Sequence, residues 1–400
     1  MRCLAACFGW DLAGLCGIIG VFVRQGRSFW DFSMAKRQKR GWLVSGLLLA
    51  AFSWAGFSAD ALADDFEDGM RLYEAGDYRQ AVKLVKKAAK DGNEQAMFQL
   101  GEFYYCGCGN GLSQNRREAL RWYERAAEKG HVEAAFSAGQ VLSQGRGVKF
   151  IPEKDKVKAA RYYWEAATSG HAGAQNNLGA VCMRGDGVQG PEEALAAAWF
   201  RQSAQQGHVL GMGSYGYLLA EGKGVQRDDW EAVKWLEKAY AAGNRQAGVR
   251  LAVMMEEGRG TRRDVDGAVA IYARMAAAGS GLSQYRLGRM AERGVGVPQD
   301  MDKAFGLYEQ AVANGVPDAL LRLGEWYAQG IHVKRDDARA VEYYRQAALK
   351  NNGEAMYRLG LFYETGRGVD KDRDVAFRWY RRAARAGDPG AQARLRGMSS

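Results

Sequence analysis

Proline and cysteine are scarce in this chain. Only 5 of its 400 residues are proline, against 52 glycines, so helices can run without interruption while glycine marks the turns. Of the six cysteines, three lie before Asp64, which leaves Cys106, Cys108 and Cys182. Because three is an odd number and a disulfide-built scaffold needs cysteine pairs spread across the chain, we expect helix packing rather than disulfides to hold the fold. Cys106 and Cys108 are expected to be incidental loop thiols, and a strained disulfide between them is the alternative.

The chain also lacks a recognisable catalytic set. It has four histidines, and three of them, His131, His171 and His208, follow a glycine at the same point of a recurring segment. Acidic residues are spread over turns and polar faces, without an apolar stretch that would isolate a pair for acid–base catalysis. Glycine pairs such as GRGV at 366–369 follow a helical pattern rather than a strand, unlike a nucleotide-binding loop. We therefore predict no catalytic residues, no metal site and no cofactor.

The positive charge is modest once the amino-terminal segment is set apart. The formal net charge is +10, and it falls to +6 without residues 1–63, which hold seven Lys/Arg and three Asp/Glu. The remaining charges of both signs are interspersed, whereas a nucleic-acid surface needs a concentrated basic face. We predict no nucleic-acid partner.

What the chain does have is an internal repeat. A reference glycine, replaced once by alanine, recurs in eight copies, and a second glycine stands six residues after each copy. An alanine begins the second half of every copy, from Ala119 to Ala376. The reference positions are Gly101, Gly139, Gly179, Gly216, Ala252, Gly288, Gly324 and Gly360. A nearly constant period of this length indicates a solenoid of stacked supersecondary units.

Each copy has the pattern of two amphipathic helices. In the last copy, residues 353–387, small and apolar side chains recur at helical spacing in both halves, which predicts two helices with one buried face each. Gly366 is expected to end the first helix, and Asp372 or Asp374 to cap the second. The small residues let paired helices approach closely. The fold class predicted from the residues is therefore all-α.

The repeat resembles the Sel-one-like repeat (SLR) family, a relative of the tetratricopeptide (TPR) repeat. The residues that carry the resemblance are AMYRLGLFYETGRGV followed by AFRWYRRAARAG, and the pattern covers about residues 96–387. Ala252 departs from it at the reference glycine, and Asn351 departs at the closing glycine. The resemblance implies a right-handed α-solenoid of stacked antiparallel helix pairs, an SLR/TPR-like superhelix.

The expected domain organisation follows from the repeat boundaries. Residues 64–95 read as a shortened, TPR-like first unit, residues 96–387 as eight SLR repeats, and residues 388–400 as a capping helix that begins near Pro389. Extra residues between helices predict longer loops at 108–114 and 148–156. Cys182 takes a position that holds tyrosine or leucine in other copies, so we expect it to be a buried filler.

Residues 1–63 show no repeat and read as a processing segment. MAKRQKR from Met34, the apolar run GWLVSGLLLAAFSWAGF and the small residues before Asp64 predict a signal peptide over 34–63, cleaved after Ala63. Residues 1–33 read as an extension before the true start at Met34. The expected location is the periplasm or the exterior. The alternative is an inner-membrane anchor facing the periplasm, since the apolar run at 41–57 is at the short edge for spanning a bilayer.

One row of residues stands out as a candidate binding surface. Two positions before the reference residue, the last four copies carry arginine, where earlier copies carry Gln99, Ser137, Asn177 and Ser214. The predicted partner-binding residues are Arg250, Arg286, Arg322 and Arg358, with Tyr285 and Tyr357 one position earlier in their helices. The resemblance implies that this row lines a groove, where the arginines would receive carboxylates of a protein or an anionic glycan. A packing or solvated role for the same side chains is the alternative.

The resemblance also implies the function. SLR proteins generally assemble other proteins, so we expect a non-catalytic interaction scaffold of the bacterial cell envelope, in contact with the membrane only if the amino-terminal segment is retained. The alternatives are a glycan or peptidoglycan binder and, less favoured, a β-lactamase-like hydrolase. The hydrolases of the wider family pair cysteines in every repeat, and this chain does not.

Overall fold

The computed structural model describes residues 59–107, 112–144, 153–188 and 190–398, and the side chains of Ala59 to Asp64 are left undescribed. These residues form nineteen α-helices and contain no β-strand. The prediction of an all-α fold is confirmed.

Most helices are thirteen residues long and are separated by short turns. They are α1 Ala59–Glu74, α2 Tyr78–Lys90, α3 Glu94–Cys106, α4 Arg116–Glu128, α5 Val132–Ser143, α6 Glu153–Thr168, α7 Ala172–Arg184, α8 Glu193–Gln205, α9 Val209–Glu221, α10 Asp229–Ala241, α11 Arg245–Glu257, α12 Val265–Ala277, α13 Gly281–Arg293, α14 Met301–Ala313, α15 Pro317–Gln329, α16 Asp337–Leu349, α17 Gly353–Thr365, α18 Arg373–Arg385 and α19 Pro389–Met398. From α3 to α18, odd numbers are the first helices of repeats and even numbers are the second helices.

The chain divides into two compact units. The first contains the described residues up to Tyr215 together with Gly222–Gln226, and the second contains Gly216–Glu221 and the residues from Arg227 onward. Within each unit, the two helices of a repeat pack on each other, and the second helix packs on the first helix of the next repeat. The second unit closes with α19, which packs mainly on α18.

Helix ends follow the chemistry that the sequence predicts. α17 ends at Gly366, whose φ of +75° is readily adopted only by glycine. The carboxylate of Asp372 accepts hydrogen bonds from the backbone N–H groups of Asp374 and Val375 and so caps α18. Asn351 adopts φ of +65°, which explains how it replaces a closing glycine.

The reference glycine leaves room for a ring from the second helix of its own repeat. A Cβ atom on Gly360 would lie 2.5 Å from the ring of Tyr380, and one on Gly324 would lie 2.6 Å from the ring of Tyr344. Both tyrosines are fully buried. The close approach of paired helices predicted from small residues therefore has a specific cause, which is the contact between this glycine and an aromatic ring.

Successive repeats are also joined by an arginine of the turn between helices. Arg367 donates hydrogen bonds to the carboxylate of Asp337 at the start of α16 and to the carbonyl of Ala328 at the end of α15. Arg259 makes the same contacts with Asp229 and Ala220. The turn that the sequence identifies as glycine-rich therefore also ties each of these repeats to the previous one.

One expectation about loops is corrected. The sequence predicts a projecting loop over 148–156, but α6 begins at Glu153, so the last four of these residues are helical. Asp155 is buried in the first turn of that helix, which a loop assignment did not foresee. Part of the predicted 108–114 loop lies outside the described residues.

The amino-terminal predictions fall largely outside the described residues. Residues 1–33 and most of the predicted signal segment 34–63 are not part of the described structure, and α1 begins at Ala59. No helix of the described part has the length and apolar character needed to cross a bilayer.

Candidate functional site

The predicted arginines lie at one position on four first helices. Arg250 lies on α11, Arg286 on α13, Arg322 on α15 and Arg358 on α17. Arg250 is exposed, whereas the side chains of the other three are between 25% and 37% exposed. Each of those three is held by a carboxylate of this chain.

Arg322 belongs to a polar cluster of the second unit that is centred on the buried Glu292. Its guanidinium binds the carboxylate of Glu292, with an Nε–Oε2 distance of 3.0 Å, and Glu292 also accepts from the Tyr308 hydroxyl at 2.6 Å and the Trp326 indole at 3.1 Å. Burial alone would raise the pKa of Glu292, but the hydrogen bonds from Arg322 and Tyr308 outweigh it and hold the pKa below its usual range. Glu292 is therefore an ionised group at the centre of a structural network.

The same arrangement recurs in two other repeats. Arg286 lies 3.4 Å from Glu256, which accepts a hydrogen bond from the hydroxyl of Tyr272. Arg394 on α19 binds Glu364, which accepts from Tyr380. We call this set, an arginine with the glutamate that it binds in the previous repeat and the tyrosine bound to that glutamate, the inter-repeat bridge.

Arg394 is a residue that the sequence reasoning missed. It stands one repeat period after Arg358, so extending the period would have placed it in the arginine row. Arg394 and Tyr380 both hydrogen-bond to Glu364, and the pKa of Glu364 is lowered chiefly by Arg394, against the effect of burial. The row therefore extends into the carboxy-terminal helix.

Arg358 is also paired with carboxylates of this chain, but they come from other positions in the repeat. The position that corresponds to the bridge glutamate holds Ala328, so the usual carboxylate is missing. Two other carboxylates take its place, Glu325 at 3.4 Å and Glu354 at 3.0 Å. Arg358 is thus also neutralised within the chain.

Arg250 differs from the rest of the row. The position that corresponds to the bridge glutamate holds Ala220, and among the described residues no carboxylate lies within ion-pair distance of its guanidinium. The guanidinium instead lies over the ring of Tyr217, 3.8 Å from the ring centre. Of the four predicted arginines, Arg250 alone keeps a charge available to another molecule.

A cavity of about 480 Å³ lies beside Arg250 in the second unit. It is formed by the last turn of α9, by α11 and by the start of α13, which are all first helices, and Leu282 at its edge is 43% exposed. Its lining residues include Ala220, Glu221, Gln246, Val253, Arg259 and Arg286. Arg259 and Arg286 are already paired with Asp229 and Glu256, so Arg250 and Glu221 are the lining charges that face the cavity without such a partner.

The predicted aromatic residues are packed rather than fully displayed. Tyr285 and Tyr357 are half-buried, and their rings lie 5.9 Å from Tyr308 and 5.8 Å from Tyr380. Burial raises the pKa of Tyr285. A role for these rings and for the paired arginines in partner binding remains a prediction.

The histidines have a structural role. Nδ1 of His131, His171 and His208 accepts the backbone N–H three residues later, as Asn93, Asn244 and Asn352 do in other repeats. They are helix caps, and a search for the N-cap position in the repeat would have found this. In the described residues, no three His, Cys, Asp or Glu side chains form a group suited to a metal ion.

Cys182 is buried, as predicted, and burial raises the pKa of its thiol to about 11. A thiol with so high a pKa is almost entirely protonated near neutral pH and is a poor nucleophile. Cys106 is exposed, and Cys108 lies outside the described residues.

Comparison with known proteins agrees with the geometry. The Sel1 repeat profile matches nine segments, 66–93, 94–131, 132–171, 172–208, 210–244, 247–280, 281–316, 317–352 and 353–388. The first match falls on the segment that the sequence reading treats as a shortened first unit.

Two crystal structures share the fold. The protective antigen c5321 of uropathogenic Escherichia coli, described as displaying an SLR fold, is 34% identical with a TM-score of 0.59, over 79% of this chain and 67% of that chain. A Sel1 repeat protein from Oxalobacter formigenes is 29% identical with a TM-score of 0.58, over 79% of this chain and 89% of that chain.

A curated relative is similar over a short stretch. The Localization factor PodJL of Caulobacter vibrioides is 44% identical over 59 residues, which is 15% of this chain and 6% of PodJL. The chain therefore matches only a small part of that protein's length. The repeat matches cover well over half of the chain, and the solved structures share its fold, so the chain belongs to the Sel1 repeat family, whose solenoids generally act as non-catalytic scaffolds for protein interaction.

Proposed function

We propose that this protein is a non-catalytic scaffold of the bacterial cell envelope that binds a partner protein through its first-helix row. The observation that carries the proposal is the open cavity on α9, α11 and α13, with exposed Leu282 at its edge and Arg250 without a carboxylate partner among the described residues. An exposed apolar side chain beside an accessible cation is typical of a surface that recognises another protein.

The proposed envelope location rests on the sequence, and the interaction role agrees with the descriptions of similar proteins. Residues 34–63 have the charge and hydropathy pattern of a signal peptide, which would export the repeats. One similar protein is described as a protective antigen and another as a localization factor, and both descriptions suit a protein that acts through contacts with others.

A site-specific cross-linking experiment tests the binding surface. A photo-reactive amino acid is placed at Leu282 on the first-helix row and, as a matched control, at Leu349, which is 71% exposed at the end of the second helix α16. We expect a discrete cross-linked partner in intact cells from position 282 and none from position 349. Equal products from both positions, or a product from 349 alone, would contradict the proposed surface.

The location is tested separately. Mass determination of the amino terminus of protein purified from envelope extract should give a chain that starts at Asp64. A mature chain that keeps residues 34–63 would indicate an anchor, and recovery of the full chain from the cytoplasm would contradict the envelope assignment.

A further inference from the structure

The cavity beside Arg250 occurs at a break in the inter-repeat bridge. Three bridges pair a glutamate with the arginine of the next repeat: Glu256 with Arg286, Glu292 with Arg322 and Glu364 with Arg394. The matching residue before Arg250 is Ala220, whose methyl group leaves the space of that carboxylate empty. The cavity therefore lies where other repeats place a glutamate side chain.

The substitutes that serve Arg358 are missing as well. Arg358 is bound by Glu325 and Glu354, and the positions that match these two in the earlier repeat hold Tyr217 and Gln246. Arg322 also binds Glu325 of its own helix, and the matching position near Arg250 holds Val253. All four positions from which this chain supplies a carboxylate to the row are therefore uncharged around Arg250. The sequence of this repeat differs from its neighbours at each position that would neutralise the arginine.

We infer that this gap binds a glutamate or aspartate side chain from an acidic segment of a partner protein. The incoming carboxylate takes the position of the missing glutamate and binds the guanidinium of Arg250. The planar guanidinium can hold a carboxylate by two parallel hydrogen bonds. An apolar residue beside it packs on Leu282 and Val253 at the edge of the cavity. This inference rests on the proposed function and names the chemistry of the partner.

The charges around the cavity determine how strongly it favours an anionic ligand. Arg259 and Arg286 also line it, but their charges are offset by Asp229 and Glu256. Glu221 is exposed on the same wall and opposes an anion. Replacing Glu221 by glutamine should therefore tighten the binding of an acidic peptide, since the repulsion is lost while Arg250 is retained.

The first test introduces the missing carboxylate into the chain itself by mutation. Ala220→Glu should place a carboxylate where Glu256, Glu292 and Glu364 stand and raise the melting temperature, and the gain should vanish in Ala220→Glu/Arg250→Gln. Ala328→Glu is the matched control, because Arg358 already has two carboxylates. A gain that persists without Arg250, or an Ala220→Glu chain that melts no higher than the parent, would overturn the inference.

The second test measures recognition. Amidated eight-residue peptides that carry Glu or Asp beside Leu, Ile, Val or Phe are screened on an array against the full chain, with Gln and Asn versions as controls. We expect acidic peptides to be selected, and both Ala220→Glu and Arg250→Gln to weaken their binding by about tenfold or more. Ala328→Glu should bind like the parent, and Glu221→Gln should bind more tightly.

The outcomes separate this inference from the proposed function. If the partner cross-linked at position 282 is captured equally by the parent and by Ala220→Glu, the scaffold function stands and the carboxylate site is wrong. If no partner is cross-linked at 282, the proposed function fails. Arg250-dependent binding of polygalacturonate, without binding of the acidic peptides, would overturn the inference in favour of an anionic glycan.

Discussion

The repeat at 281–316 and the repeat at 210–244 differ in how they treat the same arginine position. In the first, Glu292 accepts from Tyr308, Trp326 and Arg322, so every partner of the carboxylate belongs to this chain. In the second, Ala220 and Leu236 replace the glutamate and the tyrosine, and Arg250 faces a cavity.

This difference places the same repeated arginine in two different environments. We call an inter-repeat bridge closed when the glutamate is present, and open at Arg250, where alanine replaces it. A buried charge is costly unless it is paired, so a closed bridge fixes the geometry of two neighbouring repeats. An exposed arginine without a carboxylate is not costly, because water solvates it until a ligand arrives. We therefore expect the closed bridges to contribute to stability and the open one to contribute to binding.

The largest effect on stability is expected when the central glutamate of a closed bridge is removed. Glu292→Ala leaves a buried hydroxyl and a buried indole N–H without their acceptor and leaves Arg322 paired only with Glu325, so the free energy of unfolding should fall by about 3–5 kcal/mol. Urea unfolding measures this. Glu221→Ala, at an exposed residue of the open repeat, is the control and should change stability by less than about 0.5 kcal/mol. Similar losses in the two variants would remove the distinction.

A smaller effect is expected at the reference glycine. In Gly360→Ala, the new Cβ would lie 2.5 Å from the buried ring of Tyr380, whose hydroxyl is held by Glu364, so we expect a loss of about 1–3 kcal/mol. In Gly216→Ala, the nearest atoms are Cγ of Leu236 at 3.0 Å and the backbone oxygen of Ala232 at 3.2 Å. These contacts are less severe than the one at Gly360, and the gain in helix propensity of about 1 kcal/mol offsets part of their cost, so we expect a smaller loss.

Thermal unfolding compares the two glycine variants. An equal loss at both positions would mean that the ring held by a bridge is no stiffer than the leucine of the open repeat. The natural Ala252, which lies in the same buried cluster as Tyr272, shows that a repeat can adjust to alanine when the whole sequence accommodates it.

The helix caps should not distinguish the two repeats. Asp300 caps α14 through the N–H of Lys303 at 2.8 Å, and Asp228 caps α10 through the N–H of Glu231 at 2.9 Å. Asp300→Ala and Asp228→Ala should each cost about 1 kcal/mol in urea unfolding. A much larger loss from one of them would show that the repeats differ in more than the bridge.

The smallest expected effect is on the pH dependence of stability. The pKa of Glu292 is lowered, and hydrogen bonds from Arg227 and Arg259 lower the pKa of Asp229 to about 2. Groups with lowered pKa stabilise the fold above the unfolded pKa of about 4, and this contribution is lost as the pH falls towards the folded pKa. The melting temperature should therefore fall between about pH 5 and pH 2.

Two variants assign that acid dependence. Glu292→Gln and Asp229→Asn should each flatten the fall in melting temperature, because the proton uptake on unfolding is removed. If neither variant changes how steeply the melting temperature falls with pH, these carboxylates do not cause the acid sensitivity. That result would contradict the lowered pKa assigned to Glu292 in the bridge.

The sequence was sufficient for the fold because the repeat is a local pattern. The reference glycines, the alanines of the second halves and the αL turn at Gly366 all act within one or two helices, where spacing along the chain determines which faces meet. The arginine row followed from the same period. Its partners did not, because only the packed repeats show that residues of successive repeats, such as Glu292 and Arg322, come together.

Three other features were not predicted from the sequence. The N-cap role of His131 depends on the ring accepting a backbone N–H, and residue type alone does not indicate this. α6 starts at Glu153, within the predicted loop, and the burial of Asp155 in its first turn is a tertiary feature that residue type does not reveal. Arg394 could have been found by extending the period by one more copy.

The most direct test of the account compares two arginines that occupy the same repeat position. Arg322→Gln removes a charged partner from Glu292 and should lower the free energy of unfolding by about 1–3 kcal/mol, whereas Arg250→Gln should change it by less than about 0.5 kcal/mol. Both are measured by urea unfolding of the full chain under the same conditions. An equal loss from the two substitutions would contradict the distinction between arginines that are paired with carboxylates of this chain and Arg250, which is not.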